Sequence, residues 1–177
     1  QVQLRKNRFK IQKINYICIS HLHGDHYLGL IGLLSTMSLL KRTKELIIFA
    51  PKGLSKILDL HFRLSYSELS YSLKIIELYG SNEHKIFEDN ACEVYSFPLK
   101  HAIPCWGFKL IEKKPPRKVL REMIGKYNIP FNMINSIKLG KNYTTEEGEL
   151  IPNNILTTSS HLPRAYAYCS DTKYFNN

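Results

Sequence analysis

His21, His23 and His26 stand with Asp25 inside six consecutive positions, in the run Ile19-Ser20-His21-Leu22-His23-Gly24-Asp25-His26. Imidazole nitrogen suits zinc, and a carboxylate beside it can serve a second metal or hold a water. Alternate residues of an extended segment point to one side, so His21 and His23 can share an ion. Asp25 and His26, adjacent and at the start of a helix, diverge from that pair towards a neighbouring ion. The plain alternatives are surface histidines gathered by chance, or a His26 that only caps the helix. A His-x-His-x-Asp-His cluster at a strand-to-helix corner is specific enough to prefer the metal reading.

Such ligands need elements that hold them. Ile14 to Ile19, with Tyr16 and Cys18, is rich in β-branched and aromatic residues and reads as a buried strand. Tyr27 to Leu40 is long, apolar and free of proline, which reads as a helix. A strand ending where a helix begins leaves a short loop facing one crevice, where α/β sheets place their ligands. Gly24 is expected to allow the tight bend.

The motif His21-x-His23-x-Asp25-His26 resembles the signature of the metallo-β-lactamase superfamily. That resemblance implies an α/β fold, an αββα sandwich with one or two zinc ions at the edge where the sheets meet. More narrowly the chain resembles the ribonuclease Z family, endonucleases that remove the 3′ trailer from precursor tRNA. The phrase Ile47-Ile48-Phe49-Ala50-Pro51-Lys52-Gly53 looks like the strand and turn that family carries at this place.

With 177 residues the chain can bury one core, and 44% hydrophobic residues make it globular. A formal charge of +10 points to a polyanionic partner, nucleic acid ahead of a membrane surface. Cys18, Cys92, Cys105 and Cys169 form no Cys-x-x-Cys pair, and three lie in strand-like runs, so buried reduced thiols are expected. No signal peptide is visible and no apolar run reaches the roughly 18 residues that span a bilayer, so a soluble cytoplasmic protein is expected. Both ends look abrupt, and the expected sandwich is truncated at both of them.

Along the chain, residues 5–13 are basic and irregular, a helix end or a connection. Leu46 to Ala50 is a short apolar strand of the buried parallel type, and Leu54 to Leu64 has mostly helical apolar spacing. From Leu73 the period changes to two. Leu73 to Leu78, Lys85 to Glu88 and Glu93 to Leu99 read as strands of an antiparallel section, separated by Gly80-Ser81-Asn82 and Asp89-Asn90. His61 and His84 have no second ligand nearby in sequence and read as ordinary surface histidines.

His101 follows a strand, in Leu99-Lys100-His101-Ala102-Ile103-Pro104-Cys105-Trp106-Gly107-Phe108. By spacing alone a zinc ligand joining His21 and His23 and a satisfied core histidine fit equally well. The ribonuclease Z resemblance favours the ligand, because that family has its third-motif histidine in such a phrase. Asp171 follows the strand Ala165 to Ser170, where aspartate often makes only a cap or an Asx turn. The resemblance makes it a carboxylate bridging two metals. The family's usual Gly-Asp-Thr is Ser170-Asp171-Thr172 here.

Between Lys113 and Asn153 about forty residues lack strong periodicity, apart from one possible short helix at 118–126. Its basic residues suit a solvated excursion as well as an arm that grips a phosphate backbone. The resemblance favours the arm, or exosite, inserted in a partial metallo-β-lactamase domain covering 1–177. The candidate RNA contacts are Lys113, Lys114, Arg117, Lys118, Lys138 and Lys141.

The resemblance thus implies one zinc on His21, His23 and His101. A second would sit on Asp25, His26 and a histidine beyond residue 177, with Asp171 between them and Asp25 as general base. Precursor tRNA is the implied partner and a homodimer the implied assembly. Two other readings stand beside this one. One is a hydrolase of the same superfamily acting on a thioester, lactam or sulfate ester, which the basic excursion disfavours. The other is an inactive tRNA-binding relative, which six intact candidate ligands disfavour.

Overall fold

The computed structural model describes residues 1–174. The chain forms two compact units, one of residues 1–88, 94–110 and 166 onward, the other of residues 89–93 and 111–165.

In the first unit, helix α1 (Val2–Lys6) and a 3-10 turn at Ile11–Lys13 lead to strand β1 (Tyr16–Cys18). Strands β2 (Leu46–Pro51) and β3 (Leu73–Leu78) complete a parallel sheet ordered β1-β2-β3. Cys18 lies opposite Phe49, and Phe49 opposite Ile76. Parallel neighbours need crossovers, which helices α2 (Gly24–Leu39) and α3 (Leu54–Leu64) supply. The parallel pairing of β3 with β2 corrects the expectation that an antiparallel section begins at Leu73. Lys74 and Glu77 are the exposed positions of β3, and spacing of this kind does not reveal strand direction.

The pleat of β2 explains the layers. Ile48 and Ala50 face the helices and join Leu30, Leu34, Met37, Leu54 and Leu58 in one core. Phe49 and Ile47 face the other way and pack with Trp106, Phe108, Ile86 and Phe87. A strand covered on both faces has no polar positions to spare, hence its unbroken apolar run. The second sheet is ordered β11-β6-β5-β4, from β4 (His84–Glu88), β5 (Cys92–Leu99), β6 (Cys105–Glu112) and β11 (Ala165–Tyr168). Helix, sheet and sheet are thus three of the layers of the expected sandwich. Among the described residues no helix is long and apolar enough to cross a membrane.

Gly107 lets β6 lie under an aromatic ring. A Cβ there would sit 2.4 Å from Cε2 of Phe97. Gly107→Ala should therefore destabilise the protein by about 1–3 kcal/mol in urea unfolding, as overpacking does. Adding Phe97→Ala should cancel that increment; strictly additive losses would show the ring is not the obstacle.

In the second unit, β7 (Lys118–Val119) pairs with β10 (Thr157–Thr158), and β8 (Tyr143–Thr144) with β9 (Leu150–Ile151). Helices α4 (Arg121–Lys126), α5 (Phe131–Lys138) and α6 (Asn153–Leu156) cover them. Ile129, Ile137, Tyr143, Ile151 and Leu156 make a buried core, so the weakly periodic stretch is a small folded unit. Pro130 and Pro152 cap α5 and α6, where a missing N–H costs nothing. Asn153 ties the pieces together, its amide donating to the carbonyls of Ile137 and Lys141 at 2.8 and 2.7 Å.

Two further expectations need correction. All four cysteines are free, but only Cys105 is buried; Cys92 is half-buried, Cys18 is exposed on the edge strand β1, and Cys169 is exposed just after β11. Gly24 is absent from the positive-φ positions, which Gly53 and Gly80 occupy. It opens α2, where a Cβ would come within 3.0 Å of Leu28 Cδ1.

Candidate metal centre

The segment leaving β1 is clamped from both sheets. Ile19 N–H donates to the Phe49 carbonyl at 2.9 Å, and Trp106 N–H donates to the Ser20 carbonyl at 2.9 Å. Ser20 and His21 are consequently buried at the joint of the two sheets. His23 follows in an extended conformation as the N-cap of α2. The helix begins three residues earlier than the apolar run suggests, which puts Asp25 and His26 in its first turn. A carboxylate is favoured there, at the positive end of the helix dipole.

Two loops bring the distant residues in. Lys100 N–H donates to Thr172 Oγ1 at 3.2 Å, and Lys173 N–H donates to the Lys100 carbonyl at 2.7 Å. These bonds stitch the turn after β5 to the loop after β11, and so place His101 beside Asp171. His101 Nε2 lies 3.2 Å from His23 Nδ1. Asp171 Oδ2 lies 3.8 Å from His21 Nε2 and 3.5 Å from His26 Nε2. Asp25 Oδ2 lies 3.3 Å from the same nitrogen of His26.

One ligand atom from each of His21, His23, His101 and Asp171 fits within a span of 4.8 Å. His26 stands beside that group, facing Asp171, and Asp25 lies against His26. The Asp25 and Asp171 side chains are 80% and 55% exposed, so the cluster is open to solvent on its carboxylate side. His61 is exposed on α3, and His84 is half-buried, stacked on Tyr79 with Nε2 3.3 Å from Ser96 Oγ. Neither joins the cluster.

Whether these residues suit a metal is tested by His21. Its Nε2 is fully buried and among the described residues has no hydrogen-bond partner, which is rare for a buried polar atom. It faces imidazoles and a carboxylate, the donor set of zinc. Burial, and then the charges of His26, His23 and His101, hold the His21 imidazole below its ordinary pKa, against the pull of Asp171. The shift favours the neutral imidazole, the form a ligand must take. The donors fit a divalent cation of the zinc type.

Spacing gave no notice of three groups around the ligands. Ser20 Oγ lies 3.1 Å from His21 Nδ1, Cys105 Sγ lies 3.7 Å from the same atom, and Ser170 Oγ lies 3.5 Å from His26 Nδ1. Their only signal in the sequence is adjacency to His21 and Asp171, or membership of the phrase after His101.

In the second unit, Lys114, Lys118, Lys138 and Lys141 are exposed and Lys113 is half-buried. Arg117 is held, its Nε donating to Thr157 Oγ1 at 2.6 Å. A groove of about 300 Å³ is lined by Lys114, Pro115, Pro116, Arg117, Lys138 and Gly140, among others.

The sandwiched sheets and the histidine–aspartate cluster define a class of protein. The family model described as Beta-lactamase superfamily domain matches residues 1–119, and the chain belongs to that superfamily. Among curated relatives it is 46% identical over 172 residues to the ribonuclease Z of Bacteroides fragilis, covering 97% of this chain and 57% of that protein. It is 44% identical over 174 residues to the ribonuclease Z of Bacteroides thetaiotaomicron, covering 98% and 55%. The crystal structure of human tRNase Z, short form, matches with a TM-score of 0.58 and 34% identity, over 65% of this chain and 51% of that one. The chain thus spans somewhat more than half the length of the curated relatives it matches.

Proposed function

We propose that this chain carries the metal site of an endoribonuclease that removes the 3′ trailer from precursor tRNA by hydrolysing a phosphodiester. The observation that carries the reading is the convergence of His21, His23, His101 and Asp171 within 4.8 Å, in a chain whose curated relatives are named ribonuclease Z. His21, His23 and His101 would hold one zinc, and Asp25, His26 and Asp171 would contribute ligands to a second. Bound zinc supplies a water of near-neutral pKa and positive charge against the phosphate oxygens.

The chain's own residues do the rest. Asp25, open to solvent, orients a water and takes its proton as general base. The clamp on Ser20 and the stitched loops fix the imidazoles before substrate arrives, so little ordering is left for the reaction itself. Residues 113–153 form the arm, whose exposed lysines bind tRNA phosphates. The cytoplasm as compartment and a homodimer as assembly belong to the same proposal, by likeness to ribonuclease Z.

In the full-length protein, Asp25→Ala should slow precursor tRNA cleavage by about 10²–10⁴-fold or more, the usual worth of a general base. Affinity for tRNA, measured by filter binding, should stay within a few fold, since phosphate contacts elsewhere dominate it. Normal cleavage by this variant would remove both the base and the ligand role from Asp25.

A further inference from the structure

The geometry assigns Ser20 and Ser170 as positioning residues that set which nitrogen of His21 and of His26 is presented to a metal ion, an inference that rests on the metal reading above. Each hydroxyl sits on the Nδ1 side of its imidazole, at 3.1 Å for Ser20 and His21 and at 3.5 Å for Ser170 and His26. An imidazole that donates Nδ1–H to an oxygen keeps its lone pair on Nε2, and that outer bond fixes both tautomer and ring angle.

For His21 the hydrogen-bond geometry favours the proton on Nδ1. Among the described residues no acceptor lies within hydrogen-bond distance of Nε2, the nearest carboxylate oxygen given being Asp171 Oδ2 at 3.8 Å. With the proton on Nδ1, Ser20 Oγ receives it. The thiol of Cys105 donates to the Asp171 carbonyl at 3.5 Å, which leaves Sγ turned as a weak acceptor towards the same Nδ1, 3.7 Å off. Ser20 can play this part because its own carbonyl is held by Trp106 N–H, so the hydroxyl is carried on a fixed backbone.

At His26 the two ends compete. Asp25 and Asp171 both lie near Nε2, at 3.3 and 3.5 Å. Ser170 offers the opposite end an acceptor, at a longer and therefore weaker distance. Its influence is accordingly expected to be the smaller of the two.

The test uses zinc affinity, read by competition with a chromophoric chelator, and the His21 tautomer, read from imidazole 15N shifts in zinc-free protein labelled at histidine. In the parent protein His21 should carry its proton on Nδ1. Ser20→Ala should weaken zinc binding by about 10–100-fold, the usual cost of losing such an outer partner. Ser20→Thr should restore affinity to within a few fold, and Ser170→Ala should lose less than Ser20→Ala does. An Nε2-protonated His21 in the parent, or unchanged affinity in Ser20→Ala, overturns the assignment. If His21→Ala and His101→Ala also retain full affinity, the metal reading itself falls, which is a separate result.

Discussion

His21→Ala and His101→Ala should each strip most of the zinc that the purified protein retains, whereas His61→Ala and His84→Ala should leave the content at the parent level. The contrast follows from geometry. His21, His23, His101 and Asp171 put four donor atoms within 4.8 Å, and removing one imidazole leaves too few nitrogen donors to hold the ion. His61 and His84 lie outside the cluster and serve as controls for the general effect of losing a histidine. Metal content by mass spectrometry after dialysis decides it, and equal content in all four variants would end the metal assignment. The pH dependence carries a sign. Because burial and the neighbouring imidazoles depress the folded pKa of His21 below the ordinary 6.5, folding stability tied to this group is present above that pH. It is lost as the pH falls through the depressed folded value, since the unfolded chain takes up the proton first. Metal-free protein should therefore lose thermal stability on acidification, and His21→Ala should reduce that loss.

Replacing Lys114, Lys118, Lys138 and Lys141 together by alanine should weaken tRNA binding strongly and flatten its salt dependence. Each lost phosphate contact removes about one unit from the slope of log K against log salt, so the slope should fall by about four units if all four lysines touch phosphate. Hydrolysis of a small diester such as bis(p-nitrophenyl) phosphate should continue, since the histidine cluster belongs to the first unit. Substitution is a cleaner experiment than deletion because Ile129, Ile137, Tyr143, Ile151 and Leu156 form a core that excision of 113–153 would break. The four lysines are exposed, so their removal should leave the melting temperature nearly unchanged. An unaltered salt slope would mean the arm does not grip nucleic acid. Loss of the small-substrate activity would mean instead that these lysines serve the catalytic unit.

The amino-acid sequence by itself determines whatever depends on neighbours within a turn or a pleat. Helix α3 coincides with its apolar spacing, Leu54 to Leu64, and β2 with an unbroken apolar run, because helical and strand periods are local geometry. His21 and His23 are legible as a pair for the same reason, being two residues apart on an extended segment. Tertiary structure alone decides what distant residues do to one another. The direction of β3 depends on β2, the second unit's core gathers five apolar residues scattered between positions 129 and 156, and Cys18 is exposed on a strand at a sheet edge. His101 meets His23 across 78 positions, and Thr172 meets Lys100 across 72. Ser20 and Ser170 have no periodic signature at all. A hydroxyl acts on an imidazole only at contact distance, and for Ser170 and His26, 144 positions apart, that distance is set entirely by how the sheets close on each other.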